Sequence, residues 1–377
     1  MSQADLARAS ELSPATVSSI VRELREEGLL ERRPGEGDTR GTALALSADA
    51  GAAIGIDFGH SHVRVAIANL AHSVLSESYQ PLDVDHAAAA GIALAGKLVR
   101  RHLREAGVDA DQVAGVGMGL PAPLRRDSGE VGDSAILPGW IRSRPEEMMA
   151  AELGMPVRVE NDANLGALAE IVWGAGRGCS DLAYVKVSSG VGAGLVLGGR
   201  LYRGSAGTAG ELGHLTLDES GPICRCGNRG CLETFASAEA VLEPLRRTHG
   251  AGLALSEAIE LASAGDVGCA RSIADAGRAL GVAIAGLCNL LAPQRVIVGG
   301  DLARAGELLL EPVREVARRS SIAAMRETEL SAGVLGERAE VLGAVALVLR
   351  ESERFVAEPE PLGPTSHWTQ TLERDPD

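Results

Sequence analysis

Positive charge is scarce in this chain. Its 36 lysines and arginines face 51 aspartates and glutamates, a formal net charge of −15 over 377 residues. That balance excludes a protein that coats nucleic acid or an anionic membrane with its whole surface, so any contact with DNA has to be local. Lysine occurs only at Lys97 and Lys186, a skew that reads as codon bias rather than chemistry. There is no basic-then-apolar leader, since the chain opens on polar MSQADLARAS, and the apolar runs break at glycine or charge before membrane-spanning length. A cytoplasmic protein with no membrane partner is expected. Disorder throughout is excluded by 45% hydrophobic and 23% charged residues, and the length suffices for two or three domains with sizeable cores.

What is present is most concentrated at residues 213–233, which read G-H-x9-C-x-C-G-x2-G-C-L-E. Half of the six cysteines fall within eight residues there. One imidazole and three thiols, His214, Cys224, Cys226 and Cys231, match the ligand count and softness of a closed structural Zn²⁺ site, and Gly227 and Gly230 let the backbone fold tightly around an ion. A reducing compartment fits thiolates used in this way, and Cys179, Cys269 and Cys288 read as small core residues.

The first 48 residues predict a winged helix-turn-helix. QADLARA suits a short helix, and Ser13-Pro14 is a cap followed by the residue favoured at the first helical position. Val17, Ile20, Val21 and Leu24 then form one apolar stripe, and Gly28 ends the helix. LLERRPGEGDTRGTALAL reads as a strand, a glycine-rich tip and a returning strand. Thr16, Ser18, Ser19 and Arg22 are candidates for the DNA face, with Arg32, Arg33 and Arg40 on the wing as phosphate contacts. Glu23, Glu26 and Glu27 keep the helix end from being basic. Such domains usually carry a further helix ahead of the first one here. Without it Leu6, Val17, Ile20 and Leu24 are expected to lack cover, and the chain as given is expected to bind DNA poorly unless extended upstream.

From Ala52 the texture changes to strands separated by glycines. AIGIDFG, HVRVAIANL and VLSESYQPL predict three antiparallel strands, followed by a helix near 87–106, a strand VAGVGMGL, a helix near 145–153 and a strand PVRVEND. LAYVKVSSGVGAGLVLGGRLY begins a second meander, so the two halves open alike. Glycine-rich turns of this kind place backbone N–H groups where phosphates dock, although any tight hairpin also needs glycine. Asp57, Gly59 and Ser61 in the first turn, Ser189, Gly190 and Gly192 in the second, and Gly299 and Gly300 in RVIVGGD are the candidate nucleotide contacts.

Glu160-Asn161-Asp162-Ala163-Asn164, Glu211-Leu212-Gly213-His214 and the cysteine loop ending in Glu233 occur in order, and with them the chain resembles the ROK family of repressors, open reading frames and kinases. The resemblance runs from Leu6 to about Arg354. It implies an α/β, actin-like, two-lobed body of the sugar kinase and Hsp70 type. One lobe would span 52–165 plus about 337–356 and the other, with the zinc loop, 166–336, leaving 357–377 as a disordered tail rich in Pro, Glu and Asp. It also implies that Asn161, Asp162, Glu211, His214 and Glu233 hydrogen-bond sugar hydroxyls beside the loop of Gly119 and Pro121. In the family's kinases the residue matching Asp162 is the general base for phosphoryl transfer from ATP with Mg²⁺. Asn161 and Asp162 are also well placed simply to cap the following helix, and Glu233 to be a surface carboxylate. One departure argues against turnover: His60 stands where the kinases have a second glycine. Ser189 stands where they have threonine, and there the hydroxyl survives. The expected function is a sugar-responsive repressor, a homodimer or tetramer on operator DNA. The alternatives are a glucokinase-like enzyme and a scaffold for a sugar-transport protein.

Overall fold

The computed structural model describes residues 2–34, 42–83, 86–125, 127–132, 137–323 and 327–352. Helix α1 (Gln3–Ser10) opens on a capping box between Ser2 and Asp5. In α2 (Pro14–Glu26) the Ser13 hydroxyl accepts the Thr16 N–H at 3.1 Å. Strands β1 (Leu30–Pro34) and β2 (Thr42–Leu46) pair antiparallel with Leu30 opposite Leu46.

The apolar stripe expected along α2 divides. Val17 and Val21 turn inward onto Leu44, with Leu6, Ala7 and Leu30 packed around them, so Val17 is covered after all. Leu24 is half-buried and Ile20 stays 40% exposed. Helical period identifies a face but not how much of it the neighbouring hairpin covers. Thr16, Ser18, Ser19, Arg22 and Arg32 are exposed, and Arg33 lies in β1. Arg40 and the tail from 357 lie outside the described residues.

The body builds one plan twice. β3 (Ala52–Phe58), β4 (His62–Asn69) and β5 (Val74–Pro81) form an antiparallel meander. Next come α3 (Ala88–Ala106), β6 (Val113–Leu120), α4 (Pro145–Leu153) and β7 (Val157–Asn161), with β6 parallel to β3 and β7 parallel to β6. After α5 (Asp162–Val172) a second meander runs through β8 (Leu182–Val187), β9 (Val191–Leu197) and β10 (Arg200–Tyr202). Helices α6 (Glu233–Ala236), α7 (Ala238–Leu242), α8 (Arg246–His249), α9 (Leu255–Ser263) and α10 (Val267–Leu291) follow. Then β11 (Arg295–Gly299), α11 (Glu307–Ser320) and β12 (Glu329–Ala332) complete a sheet in which β11 is parallel to both β8 and β12. The orders β5-β4-β3-β6-β7 and β10-β9-β8-β11-β12 match strand for strand. The similar openings of the two halves thus reflect a repeated architecture.

The last helix, α12 (Ala339–Ser352), returns to the first sheet across β3 and β6. Glycine makes that approach possible. A Cβ on Gly55 would stand 2.3 Å from the Val341 carbonyl oxygen and one on Gly117 2.0 Å from that of Ala344. On α12 itself, a Cβ on Gly343 would stand 1.9 Å from the Leu165 carbonyl oxygen of α5. The joint is fastened by Glu170 near the end of α5. Its fully buried carboxylate accepts the N–H groups of Ala175 (2.7 Å), Val334 (3.0 Å) and Leu335 (3.3 Å). Burial pushes its pKa up against those hydrogen bonds.

One expectation fails here. Among the described residues α10 is long and apolar enough, by length and composition, to cross a membrane. It is a core helix: Cys269, Ile273, Leu280 and Ile284 are fully or nearly fully buried, and a Cβ on Gly277 would stand 2.6 Å from the Leu309 carbonyl oxygen of α11. Small residues keep such a helix apolar without an obvious run of large side chains. Cys269 and Cys288 are buried and Cys179 partly so, as expected of core thiols.

Candidate functional site

Residues from both sheets line one cleft of about 880 Å³, a size that suits a small molecule. Its floor is the corner where β7 becomes α5. The Asn161 side chain caps α5, its Oδ1 accepting the Ala163 N–H at 2.9 Å and the Asn164 N–H at 3.4 Å. Capping therefore does occur, and it fixes the amide while leaving its own N–H donors for a ligand. Buried Glu160 steadies the corner from behind, accepting the Asn161 N–H (2.9 Å), Asn164 Nδ2 (2.8 Å) and the Arg203 guanidinium.

The opposite wall is the cysteine loop. The ligand atoms of His214, Cys224, Cys226 and Cys231 all lie within 4.8 Å of one another. His214 Nδ1 is 3.6 Å from Cys224 Sγ, and the sulfurs of Cys226 and Cys231 are 3.7 Å apart. A tetrahedral ion with Zn–S bonds of about 2.3 Å has ligand-to-ligand edges of about 3.8 Å. The four residues fit zinc. Without a cation, burial and the adjoining thiols push Cys231 up to about 12, a cost that a metal would reverse.

The two nitrogens of His214 divide its work. Nδ1 faces Cys224, while Nε2 lies 3.8 Å from Glu211 Oε2 at the cleft, so one ring serves both the metal set and the ligand wall. Glu233 is no surface carboxylate, being 7% exposed. Its Oε2 accepts the Val191 N–H at 3.2 Å and the Arg225 guanidinium. It thereby joins the cysteine loop to the glycine-rich turn between β8 and β9. Arg225, unremarked in the sequence, holds that carboxylate from within the cysteine loop.

Of the sugar candidates, Pro121, Asn161, Asp162, Glu211, His214 and Glu233 line the cleft. Gly119 does not: its α-carbon faces Leu165 and Asp57. Asp57, Gly59, Ser61, Ser189, Gly190, Gly192 and Gly300 also line it, whereas Gly299 packs on the Tyr184 ring instead. His60 lines the cleft too, but the imidazole that closes on the first turn is that of His62. A Cβ on Gly59 would meet the His62 ring at 2.1 Å, the ring stacks on Tyr79 with centroids 5.3 Å apart, and Nε2 stands 3.4 Å from Asp57 Oδ2.

Where the two lobes meet, a lysine sits among carboxylates. Lys186 Nζ is 2.8 Å from Asp162 Oδ2 and 3.2 Å from Glu340 Oε1. Burial alone would lower its pKa, but Asp162, Glu340 and Asp57 outweigh it and hold the ammonium well above its ordinary range. Burial raises Glu340 to about 7 despite Lys186. A folded-state value above the unfolded one means that the native state binds the extra proton between about pH 4.5 and 7, so this group's stabilisation fades as pH rises through 7. The midpoint of thermal unfolding should fall as pH rises from 5 to 8. Glu340→Gln should flatten that slope, and an unchanged pH profile in the variant would remove Glu340 as its source.

Comparison with known proteins decides the family. The ROK family pattern matches residues 53–351 and the MarR family pattern residues 1–41. The chain belongs to the ROK family. The xylose repressor of Caldicellulosiruptor bescii is 32% identical over 374 residues, covering 94% of this chain and 93% of the relative. Among solved structures, a ROK family transcriptional regulator described as a homologue of the Escherichia coli MLC protein superposes with a TM-score of 0.79 at 25% identity, covering 94% of both chains. A ROK glucokinase from Streptomyces griseus, solved with glucose and AMPPNP, gives a TM-score of 0.69 at 29% identity, with 79% of this chain and 99% of the kinase covered. The kinase is thus matched almost whole, and the part with no counterpart belongs to this ROK protein.

Within the family, kinases work on ATP with Mg²⁺, and this chain's residues do not fit that pair. The His62 ring covers the turn that would present N–H groups to phosphate, and Lys186 already brings its carboxylates the positive charge that a metal would supply.

Proposed function

We propose that the chain is a sugar-responsive transcriptional repressor, with a winged helix (1–48) reading operator DNA and a sugar or sugar phosphate bound between lobes 52–165 plus about 337–356 and 166–336. The observation that carries this reading is the pairing of a MarR-type segment with a ROK body along one chain, shared over nearly full length with proteins named as repressors. Zinc is the structural metal of His214, Cys224, Cys226 and Cys231. Asn161, Asp162, Glu211, His214 and Glu233 recognise the sugar, with Pro121 and the neighbouring Gly119 shaping the cleft beside them. Adjacent hydroxyls demand paired acceptors and amides, and a site that satisfies them rejects analogues lacking one. Pentoses deserve the first trial because relatives of this length carry the name xylose repressor.

Sugar binding alters lobe closure and with it the spacing of two winged helices in a dimer, so the operator is pseudo-palindromic and the protein cytoplasmic. Moving the equilibrium decisively takes a preference of several kcal/mol for one lobe arrangement. A thermal-shift panel of sugars, with and without ATP, should show stabilisation by one sugar class that ATP does not enhance, and no ATP turnover. Asp162→Asn should weaken the sugar about 10- to 100-fold through a lost charged acceptor. The same sugar should change the anisotropy of bound operator DNA. A chain that consumes ATP with that sugar would instead be a kinase.

A further inference from the structure

We propose that Lys186 is an internal counter-ion in the place a divalent cation would otherwise take, closing the carboxylates of Asp57, Asp162 and Glu340 to metal and leaving a cleft that binds sugar without moving phosphate. The inference rests on the sensor reading above and names the residue that enforces it.

The argument begins with strand parity. Ala183, Val185 and Val187 on β8 face the core of their own lobe, so Leu182, Tyr184 and Lys186 face the other way. Lysine on such a face is costly unless partners await it. Its register neighbours are Gly192 on β9 and Gly299 on β11, which leave space for the long side chain. The ammonium then reaches Asp162, the first residue of α5, and Glu340, the second residue of α12. Asp57 on β3 lies close enough to act on its charge, and its buried Oδ1 makes no hydrogen bond among the described residues. The cluster therefore takes one group each from the first sheet, the second sheet and both helices between them.

Three acidic side chains around one point are what a hard divalent cation seeks. Here one compact ammonium fills that point, and a second cation would face like charge at contact distance. Lys186 also holds Asp162 Oδ2 at 2.8 Å, so the carboxylate that would face an incoming hydroxyl is already paired. Neutral polyols are admitted on these terms, and metal-bound phosphates are not.

Mn²⁺ binding to the full chain, followed by electron paramagnetic resonance with unlabelled protein and free Mn²⁺ as the reporter, tests this. Wild type and Lys186→Arg should take up no Mn²⁺ at the cleft, whereas Lys186→Met should bind it at least about tenfold more tightly. Adding Asp162→Asn should abolish the gain, which assigns the ion to the cleft rather than to the cysteine loop. If Lys186→Met fails to fold, Lys186→Met with Glu340→Gln buries one carboxylate fewer and should show the same gain. The proposal is overturned if wild type binds Mn²⁺ as tightly as Lys186→Met, or if folded Lys186→Met, alone or with Glu340→Gln, gains nothing. Sugar-induced thermal shifts on the same samples keep the two readings apart. A wild type that responds to no sugar sinks the sensor, whatever Mn²⁺ does.

Discussion

Cys231→Ser is expected to empty the metal site and to lower the melting temperature by about 8 °C or more. Free zinc at roughly a thousand times its dissociation constant stabilises by about 4 kcal/mol, and a protein of this size loses about 2 °C per kcal/mol. Apart from an ion, the loop from 214 to 233 is held by its own backbone bonds, among them the Leu217 N–H to the Gly230 carbonyl and the Leu232 N–H to that of Leu215, both at 2.8 Å, while Ile223 at its tip is exposed. Losing the ion should also release Glu233 from Val191 and turn His214 away from Glu211, so sugar binding should fall with stability. Elemental analysis of chelator-free protein should find about one zinc per chain. A zinc-free preparation with wild-type melting and sugar affinity would show that the thiols are merely packed.

Gly117→Ala should be among the most damaging single methyls in the body. Its Cβ would stand 2.0 Å from the Ala344 carbonyl oxygen and 2.7 Å from the Ala344 carbonyl carbon, both backbone atoms of α12. No rotamer change relieves a clash with backbone, so β6 and α12 must separate, and overpacking of this kind costs about 3 kcal/mol or more. Gly107→Ala is the control for mere loss of glycine, since nothing lies within 4 Å of its α-carbon substituent although its φ of 67° adds strain. Urea denaturation should place Gly117→Ala far below that control. Equal midpoints would mean that α12 does not press on the sheet as described.

What could be read from the sequence was local in it. The zinc ligands fall within eighteen residues, the Asn161-Asp162 corner is contiguous, and strand, glycine and strand recur visibly at the head of each half. What could not be read depends on pairs far apart along the chain. Lys186 passed for codon bias because Glu340, which gives it meaning, is 154 positions away; a lysine on the buried face of an apolar strand was the available signal. The imidazole over the first turn is His62 rather than His60 because the turn closes back on itself, a three-dimensional matter. Likewise Gly55 and Gly117 looked like ordinary strand punctuation until α12 arrived from the far end of the sequence. In α2, period could not say that Ile20 would be left at the margin of a small core.

The carboxylate of Glu170 carries a mechanical consequence. The chain passes between the lobes twice, through α5 and on the way from β12 to α12, and both passages are stitched to this one side chain. Bodies joined by two straps at a common end can swing but cannot slide. Closure on a ligand, as proposed above, should turn the jaws about that stitched end, with the travel greatest at the rim farthest from it.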